Sequence, residues 1–207
     1  MTAPKTLTVD ECNLLLESLR FRNGTPGQAR RGIRNRCIAL LMLDAGLRTS
    51  EVVGLKVADL LFNGQPVTSV VVRPEIAKNH LERQIPIGTR LSEALKEMDA
   101  LYWSKVLPAS NAFAFASTRT GEPIVRRQVH RIISSAANAA FGRSVNPHVL
   151  RHTFATICMR VTNIRTVQEL LGHKNVSSTQ IYTHPNEQDK HDAIEKMELE
   201  RESSGSV

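Results

Sequence analysis

Two neighbouring side chains in the second half of the sequence bring an imidazole and a guanidinium together. His148 and Arg151 lie three residues apart, and Pro147 before them is suited to the first position of a helix. Residues three apart on a helix project from the same face. Such a face could bind an anion and move a proton, although an exposed polar surface is the ordinary interpretation of this stretch alone.

The same stretch also has a spacing that occurs in metal sites. His148 and His152 have the spacing of the two zinc ligands in a zincin metalloprotease, but that motif needs a glutamate directly after the first histidine, and Val149 stands there. The cysteines are odd in number and lack Cys-x-x-Cys spacing, so they indicate neither a zinc site nor a disulfide framework. They are Cys12, Cys37 and Cys158. We therefore expect no metal site.

A second polar cluster follows about twenty residues later. Gly172 is placed to end the preceding helix, which would leave His173 in a loop. Ser177 or Ser178 could cap a short helix that presents Tyr182. Taken alone, Tyr182 would be interpreted as a half-buried tyrosine packed beside its neighbours.

The order and spacing of these clusters resemble the tyrosine recombinase (phage integrase) family. The matching motifs are His-x-Leu-Arg-His at 148–152, Leu-Leu-Gly-His at 170–173, and a tyrosine nine residues after that last histidine. The stretch 45–55 is similar to the family's first box, which supplies an arginine and, three positions on, an acidic residue. The stretch 78–87 is similar to its β-hairpin segment, which carries a lysine. The resemblance covers roughly residues 6–185.

The resemblance implies a set of site residues. They are Arg48, Lys78, His148, Arg151, His173 and the nucleophile Tyr182, with Glu51 as a supporting residue. For the lysine, Lys56 and Lys174 are the alternatives, and a solvated surface lysine is the ordinary interpretation of either.

The same resemblance implies a site-specific recombinase that cuts and rejoins DNA through a covalent 3′-phosphotyrosine. In that scheme the two arginines stabilise charge on the phosphate oxygens, and His173 adds a hydrogen bond. A tyrosine with a pKa of about 10 must lose its proton, and His148, oriented by Glu51, is the expected acceptor. Lys78 is expected to protonate the leaving 5′-oxygen. The reaction needs no metal ion and no cofactor.

Charge and composition fit double-stranded DNA as the partner. The chain has a formal charge of +7 and a pI near 9.7, which favours polyanions. Residues 186–202 hold seven acidic and three basic side chains, so the rest of the chain is more basic still. Aromatic residues are only 4%, which argues against a single-strand binder that stacks bases. No apolar run approaches the roughly 20 residues that span a bilayer, and no signal peptide is evident, so we expect a cytoplasmic protein with no membrane partner.

The hydrophobic pattern predicts an α+β fold, mainly helical with a small antiparallel β-sheet. Thr8 and Glu11 predict a capping box that opens the first helix, and Gly46 is suited to end a helix over 30–45 after a polar break around 24–27. Thr49 or Ser50 is expected to cap a short helix through Leu55, and the sheet is expected within 66–87. Further helices are expected at about 90–102, 125–141, 147–161, 164–171, 177–184 and 188–202.

We expect residues 1–207 to be a single catalytic domain, with a core over about 6–185 and an acidic helical tail over about 186–207. Most family members carry a helical core-binding domain before the catalytic one, and this chain has no room for it. The resemblance therefore implies either a fragment or a naturally short member similar to the fimbrial-switch invertases.

Two other functions remain open from the sequence. One is a monomeric nicking-closing enzyme similar to a type IB topoisomerase, and the other is a DNA-binding regulator that keeps the fold without the reaction. The recombinase interpretation implies a homotetramer on synapsed DNA sites and a monomer or weak oligomer when free. Only an enzyme would leave protein covalently attached to nicked DNA.

Overall fold

The computed structural model describes residues 6–20, 25–104, 111–117 and 120–173. In this part the chain is mainly helical, which confirms the predicted fold class. The helices are α1 (Val9–Ser18), α2 (Pro26–Leu43), α3 (Thr49–Gly54), α4 (Thr89–Met98), α5 (Arg126–Phe141), α6 (Pro147–Val161) and α7 (Ile164–Leu171). A 3₁₀ turn, Val57–Asp59, follows α3, and a π-helical turn, Asp99–Trp103, continues α4.

Four short strands form two antiparallel hairpins between α3 and α4. The predicted hairpin pairs β3 (Ser69–Val72) with β4 (Arg83–Pro86), and Val72 lies opposite Arg83. A smaller hairpin, β1 (Leu61–Phe62) with β2 (Gln65–Pro66), was not predicted, because two-residue strands are too short to show alternation.

The start of α2 differs from the prediction. The helix begins at Pro26, four residues before the expected start, and the polar stretch is its cap rather than a break. Thr25 and Gln28 bond reciprocally, since each side chain accepts from the other's backbone N–H at 3.3 and 2.7 Å.

The cap of α3 also differs, and this difference bears on the site. Neither Thr49 nor Ser50 caps the helix. The N-cap residue is Arg48, whose backbone N–H donates to the carboxylate of Glu51 at 2.7 Å. Glu51 therefore closes the first turn of its own helix.

Helix α2 passes through the core and brings residues 45–55, which follow it, close to α6. Its residues 37–42 are fully buried, and it packs against α4 and α6. After α2 the chain turns at Gly46, whose φ is +60°, as predicted for a left-handed glycine. A Cβ at Gly46 would overlap the ring of Phe154 on α6, so only glycine lets the two segments approach so closely.

Several predictions lie outside the described residues: the helices at 177–184 and 188–202, and the acidic tail at 186–207. Among the described residues, no helix is both long enough and apolar enough to cross a bilayer.

Candidate active site

The start of α3 holds a buried carboxylate among arginines. Glu51 is 0% exposed, and its carboxylate accepts from Nη1 of Arg48 at 2.9 Å as well as from the Arg48 backbone N–H. The Arg48 side chain is 16% exposed. Within the described part of the chain, the hydrogen bonds of Arg48 that involve its side chain use Nη1 alone, which leaves Nε and Nη2 to meet a ligand.

Arg151 enters the same cluster from α6 and is almost fully buried, at 1% exposure. Its Nη1 donates to the carbonyl of Gly46 and lies 3.9 Å from Oε2 of Glu51. Its Nη2 donates to the carbonyl of Leu171 at 2.7 Å and lies 3.2 Å from Nε2 of His173. The tight turn before α3 and the end of α7 together fix this guanidinium.

His173 follows the end of α7 in the loop that the sequence predicted. Gly172 ends the helix in the left-handed conformation, with φ of +61°. Burial, then the positive charges of Arg151, Arg48 and Arg83, lower the pKa of His173 to about 4, so its imidazole is neutral at pH 7. Because arginine can only donate, the contact from Arg151 requires an unprotonated Nε2 and places the imidazole proton on Nδ1.

His148 stands at the start of α6 at the surface. Asn146 caps the helix, since its side chain accepts from the His148 backbone N–H at 2.9 Å. Loss of hydration, followed by the positive charges of Arg151, Arg48 and Lys78, holds the pKa of His148 below its usual range. Its ring meets that of His152 edge-on, with centroids 4.3 Å apart. A neutral imidazole at this place can accept a proton.

Lys78 lies in the turn between β3 and β4 and is exposed. The next residue ties this turn to the end of α7, because Nδ2 of Asn79 donates to the carbonyl of Gly172 at 3.3 Å. Of the two alternatives for the lysine, Lys56 donates its ammonium to Asn111. The other, Lys174, lies outside the described residues, and so does Tyr182.

The orientation of His148 by Glu51 is not what the structure shows. Both carboxylate oxygens of Glu51 accept hydrogen bonds from arginines, and they serve as counter-charge for guanidinium groups. The described residues contain no group of three His, Cys, Asp or Glu side chains that could hold a metal ion.

Comparison with known proteins identifies the family. Residues 5–189 match the model of the phage integrase family. The chain belongs to that family. Tyrosine recombinase XerC of Thermodesulfovibrio yellowstonii is 37% identical over 189 residues, which cover 87% of this chain and 58% of that protein. Tyrosine recombinase XerD of Halalkalibacterium halodurans is 32% identical over 183 residues, with 87% and 57% covered. The chain thus spans less than three fifths of the length of these relatives.

Solved structures agree with the family assignment. The crystal structure of XerA recombinase superposes with a TM-score of 0.73 at 28% identity and covers 95% of this chain and 66% of that one. XerH site-specific recombinase, in a pre-cleavage complex with its difH substrate, gives a TM-score of 0.72 at 26% identity, with 94% of this chain and 54% of that one covered. The fold of this phage integrase family member is therefore that of a tyrosine recombinase catalytic domain.

Sequence reasoning missed one buried arginine of this integrase-family site. Arg83 on β4 binds both oxygens of Glu51, at 2.8 Å from Nη1 and 2.7 Å from Nη2, and its Nε donates to the carbonyl of Leu170 at 2.9 Å. The signal was present: Arg83 and Ile85 occupy the inward positions of an alternating strand. An arginine at an inward position requires a buried acidic partner, and Glu51 is that partner.

Proposed function

We propose that this chain is the catalytic domain of a site-specific DNA recombinase, with residues 1–207 forming one domain. It cuts one DNA strand through attack by Tyr182 and rejoins it to a new partner through a 3′-phosphotyrosine intermediate. The observation that carries the proposal is the assembly of Arg48 and Arg151 around one buried carboxylate, with His173 against Arg151, in a chain of the phage integrase family. The recombinase names of its relatives favour this function over a topoisomerase or a regulator.

The electrostatics of the cluster suit a phosphodiester. Three guanidinium groups share one carboxylate, so the cluster carries two more positive charges than negative ones. The phosphodiester is an anion, and the pentacoordinate transition state gathers further charge on its non-bridging oxygens. Cations that are fixed before the substrate arrives stabilise that charge without reorganising.

The two arginines play unequal parts in this scheme. Arg48 offers Nε and Nη2 to a phosphate oxygen directly. Arg151 is buried and donates to two carbonyls and to His173, so binding a phosphate exchanges the contact with His173 for one with the substrate. The imidazole of His173, which is neutral before DNA binds, then turns its own N–H to the phosphate.

Proton transfer falls to the two remaining side chains at the surface of the site. His148 accepts the proton of the attacking tyrosine, because its pKa is held below the usual range and its imidazole is neutral at pH 7. Lys78 protonates the leaving 5′-oxygen from the β3–β4 turn. The positive charge of Lys78 is one of those that lower the pKa of His148.

The other tyrosine of the chain supports Tyr182 by elimination. The sequence holds two tyrosines. Tyr102 is 4% exposed, its hydroxyl donates to the carbonyl of Ala116 at 2.7 Å, and burial raises its pKa. A buried, hydrogen-bonded phenol of raised pKa cannot attack DNA.

The proposed reaction joins two DNA sites, so we propose a homotetramer on synapsed double-stranded DNA and a monomer or weak oligomer in its absence. A cytoplasmic location goes with this activity, because the substrate is the DNA of a bacterial cell or of a mobile element.

Covalent trapping tests the proposal. The wild type is incubated with DNA from its genomic neighbourhood, and the adducts are resolved on a denaturing gel and sequenced. Tyr182→Phe should bind DNA as the wild type does and form no adduct. The matched variant Tyr102→Phe should keep forming it. An adduct that persists in Tyr182→Phe, or disappears only in Tyr102→Phe, would exclude Tyr182 as the nucleophile.

A further inference from the structure

The end of α7 joins parts of the site that are distant in sequence. The last carbonyls of a helix have no partner within it and carry partial negative charge. Here three consecutive carbonyls each accept a side-chain donor from another element. That of Leu170 accepts from Arg83, that of Leu171 from Arg151, and that of Gly172 from Asn79.

Arg83 makes the most extensive of these connections. Its Nη1 and Nη2 bind the two oxygens of Glu51, and its Nε binds the carbonyl of Leu170, so all three nitrogens of the guanidinium are engaged. The Arg83 side chain is 7% exposed. A guanidinium used in this way is not directed at a phosphate.

The stem of Arg83 also packs on the residue before His173. A Cβ at Gly172 would lie 2.9 Å from Cδ of Arg83, closer than such atoms approach. The left-handed glycine therefore serves two purposes: it ends α7, and it leaves room for the arginine. His173 follows directly, so the position of Arg83 limits where its backbone can run.

We propose that Arg83 is a positioning residue of the reaction. It fixes the Glu51 carboxylate against Arg48 and Arg151, and it fixes the end of α7 from which His173 projects. It does not touch the substrate. The assignment rests on the proposed function for its effect on rate, and on the contacts alone for its effect on His173.

The consequence for the reaction follows from the groups that Arg83 holds. Through Glu51 and the end of α7 it holds Arg48, Arg151 and His173, which bind the non-bridging oxygens in the proposed reaction, whereas Lys78 protonates the leaving oxygen. Loss of Arg83 geometry should therefore slow cleavage through weaker stabilisation of phosphate charge. A leaving group that needs no acid should not correct this loss.

Arg83→Lys is the informative substitution, because lysine keeps a cation beside Glu51 but cannot bond in a planar fork and reach Leu170 as well. The chain offers a matched control in Arg73. That arginine binds both oxygens of Asp59 at 2.9 and 3.0 Å and donates to the carbonyl of Gly54 at 3.2 Å, so it makes the same kind of contacts with a different carboxylate.

The first measurement is single-turnover cleavage on a strand with a normal 5′-oxygen and on one with sulfur in its place. Misplacement by about 1 Å can cost roughly 100-fold, and we expect a loss of that order for Arg83→Lys on both strands, with DNA affinity retained. Arg73→Lys should cleave nearly as the wild type does. Equal losses in the two variants, no loss in Arg83→Lys, or recovery on the sulfur strand would each overturn the proposal.

The second measurement needs no cleavage. The imidazole of His173 is titrated by NMR in both variants without DNA, after each is shown to be folded by circular dichroism. We expect its pKa to rise from about 4 in Arg83→Lys only, because a loosened α7 end exposes the ring to water. An unchanged His173 titration, or an Arg83→Lys protein that does not fold, would make Arg83 merely structural. A wild type that forms no adduct would instead refute the proposed function while this titration still decides the role of Arg83.

Discussion

Glu51→Gln removes the negative charge from a buried cluster of guanidiniums and keeps the shape of the side chain. Glu51 is fully buried, and it accepts two hydrogen bonds from Arg48 and two from Arg83, at 2.7 to 2.9 Å. Arg151 lies 3.9 Å away. An amide would turn N–H donors toward arginine donors and leave these cations without a counter-charge.

Breaking a buried ion pair by removing one partner costs about 3–5 kcal/mol. We expect that loss in the free energy of unfolding, out of a total of about 5–15 kcal/mol for a typical protein. For a chain of this size it lowers the melting temperature by about 6–20 °C. Urea denaturation followed by circular dichroism at pH 7 measures it.

The pH dependence gives a second signature with a definite sign. Burial raises the pKa of Glu51. A larger opposite effect comes from the hydrogen bonds and charge of Arg83, the backbone N–H of Arg48 and the charge of Arg151, so the pKa lies below the usual range. A carboxyl with a lowered pKa stabilises the fold above its unfolded pKa of about 4.3, and that contribution is lost as the pH falls through the folded value. The difference between wild type and Glu51→Gln should therefore be constant above about pH 5 and shrink in acid.

Asp59→Asn is the matched control. Asp59 binds Arg73, whose side chain is 28% exposed, and it accepts from the backbone N–H of Lys56 at 2.8 Å. Its loss should cost about 1–2 kcal/mol, as for a helix cap with a surface ion pair. If Glu51→Gln costs no more than Asp59→Asn, or if its cost does not diminish in acid, Glu51 is not the counter-charge that holds the cluster together.

Three further predictions concern the reaction and its assembly. Lys78→Ala should slow cleavage by roughly 10²–10⁴-fold on ordinary DNA and recover most of its rate on a strand with a bridging 5′-sulfur. Arg151→Ala should not recover its rate on that strand. Equal slowing of Lys78→Ala on both strands would exclude Lys78 as the acid. We expect the acidic tail to dock on a neighbouring protomer, so deletion of residues 187–207 should spare cleavage in part and weaken assembly on DNA in analytical ultracentrifugation. Unchanged assembly would contradict that docking. DNA affinity should fall steeply with added salt, because binding releases counterions from the DNA. Cleavage should survive excess EDTA, and a strict need for magnesium would contradict the mechanism.

Local signals in the sequence were sufficient for much of the fold. The capping box at Thr8, the left-handed turns at Gly46 and Gly172, and the β3–β4 hairpin follow from rules that act over a few residues, and the structure has all of them. The predicted start of α2 is wrong because proline after Thr25 can either break a helix or open one. The N-terminal position favours opening it.

The hydrogen bonds and ion pairs that join the parts of the site could not be predicted from such local rules. The pairing of Glu51 with Arg83 spans 32 positions, and the bond from Arg151 to the carbonyl of Gly46 spans 105. Local periodicity carries no information at such separations. The family motifs could name Arg48 and Arg151, but they could not show that a third arginine competes for the same carboxylate.

The arrangement explains why an acidic residue belongs in a site that must attract an anion. Buried arginines without a counter-charge would be costly to desolvate, and arginines fully matched by carboxylates would have no attraction left for a phosphate. One carboxylate shared by three guanidiniums lies between these limits. Glu51 and the carbonyls at the end of α7 hold Arg83 and Arg151 in place, while Arg48 keeps donors on the exposed side. The site can therefore be rigid in the absence of DNA and still carry the positive charge that cleavage requires.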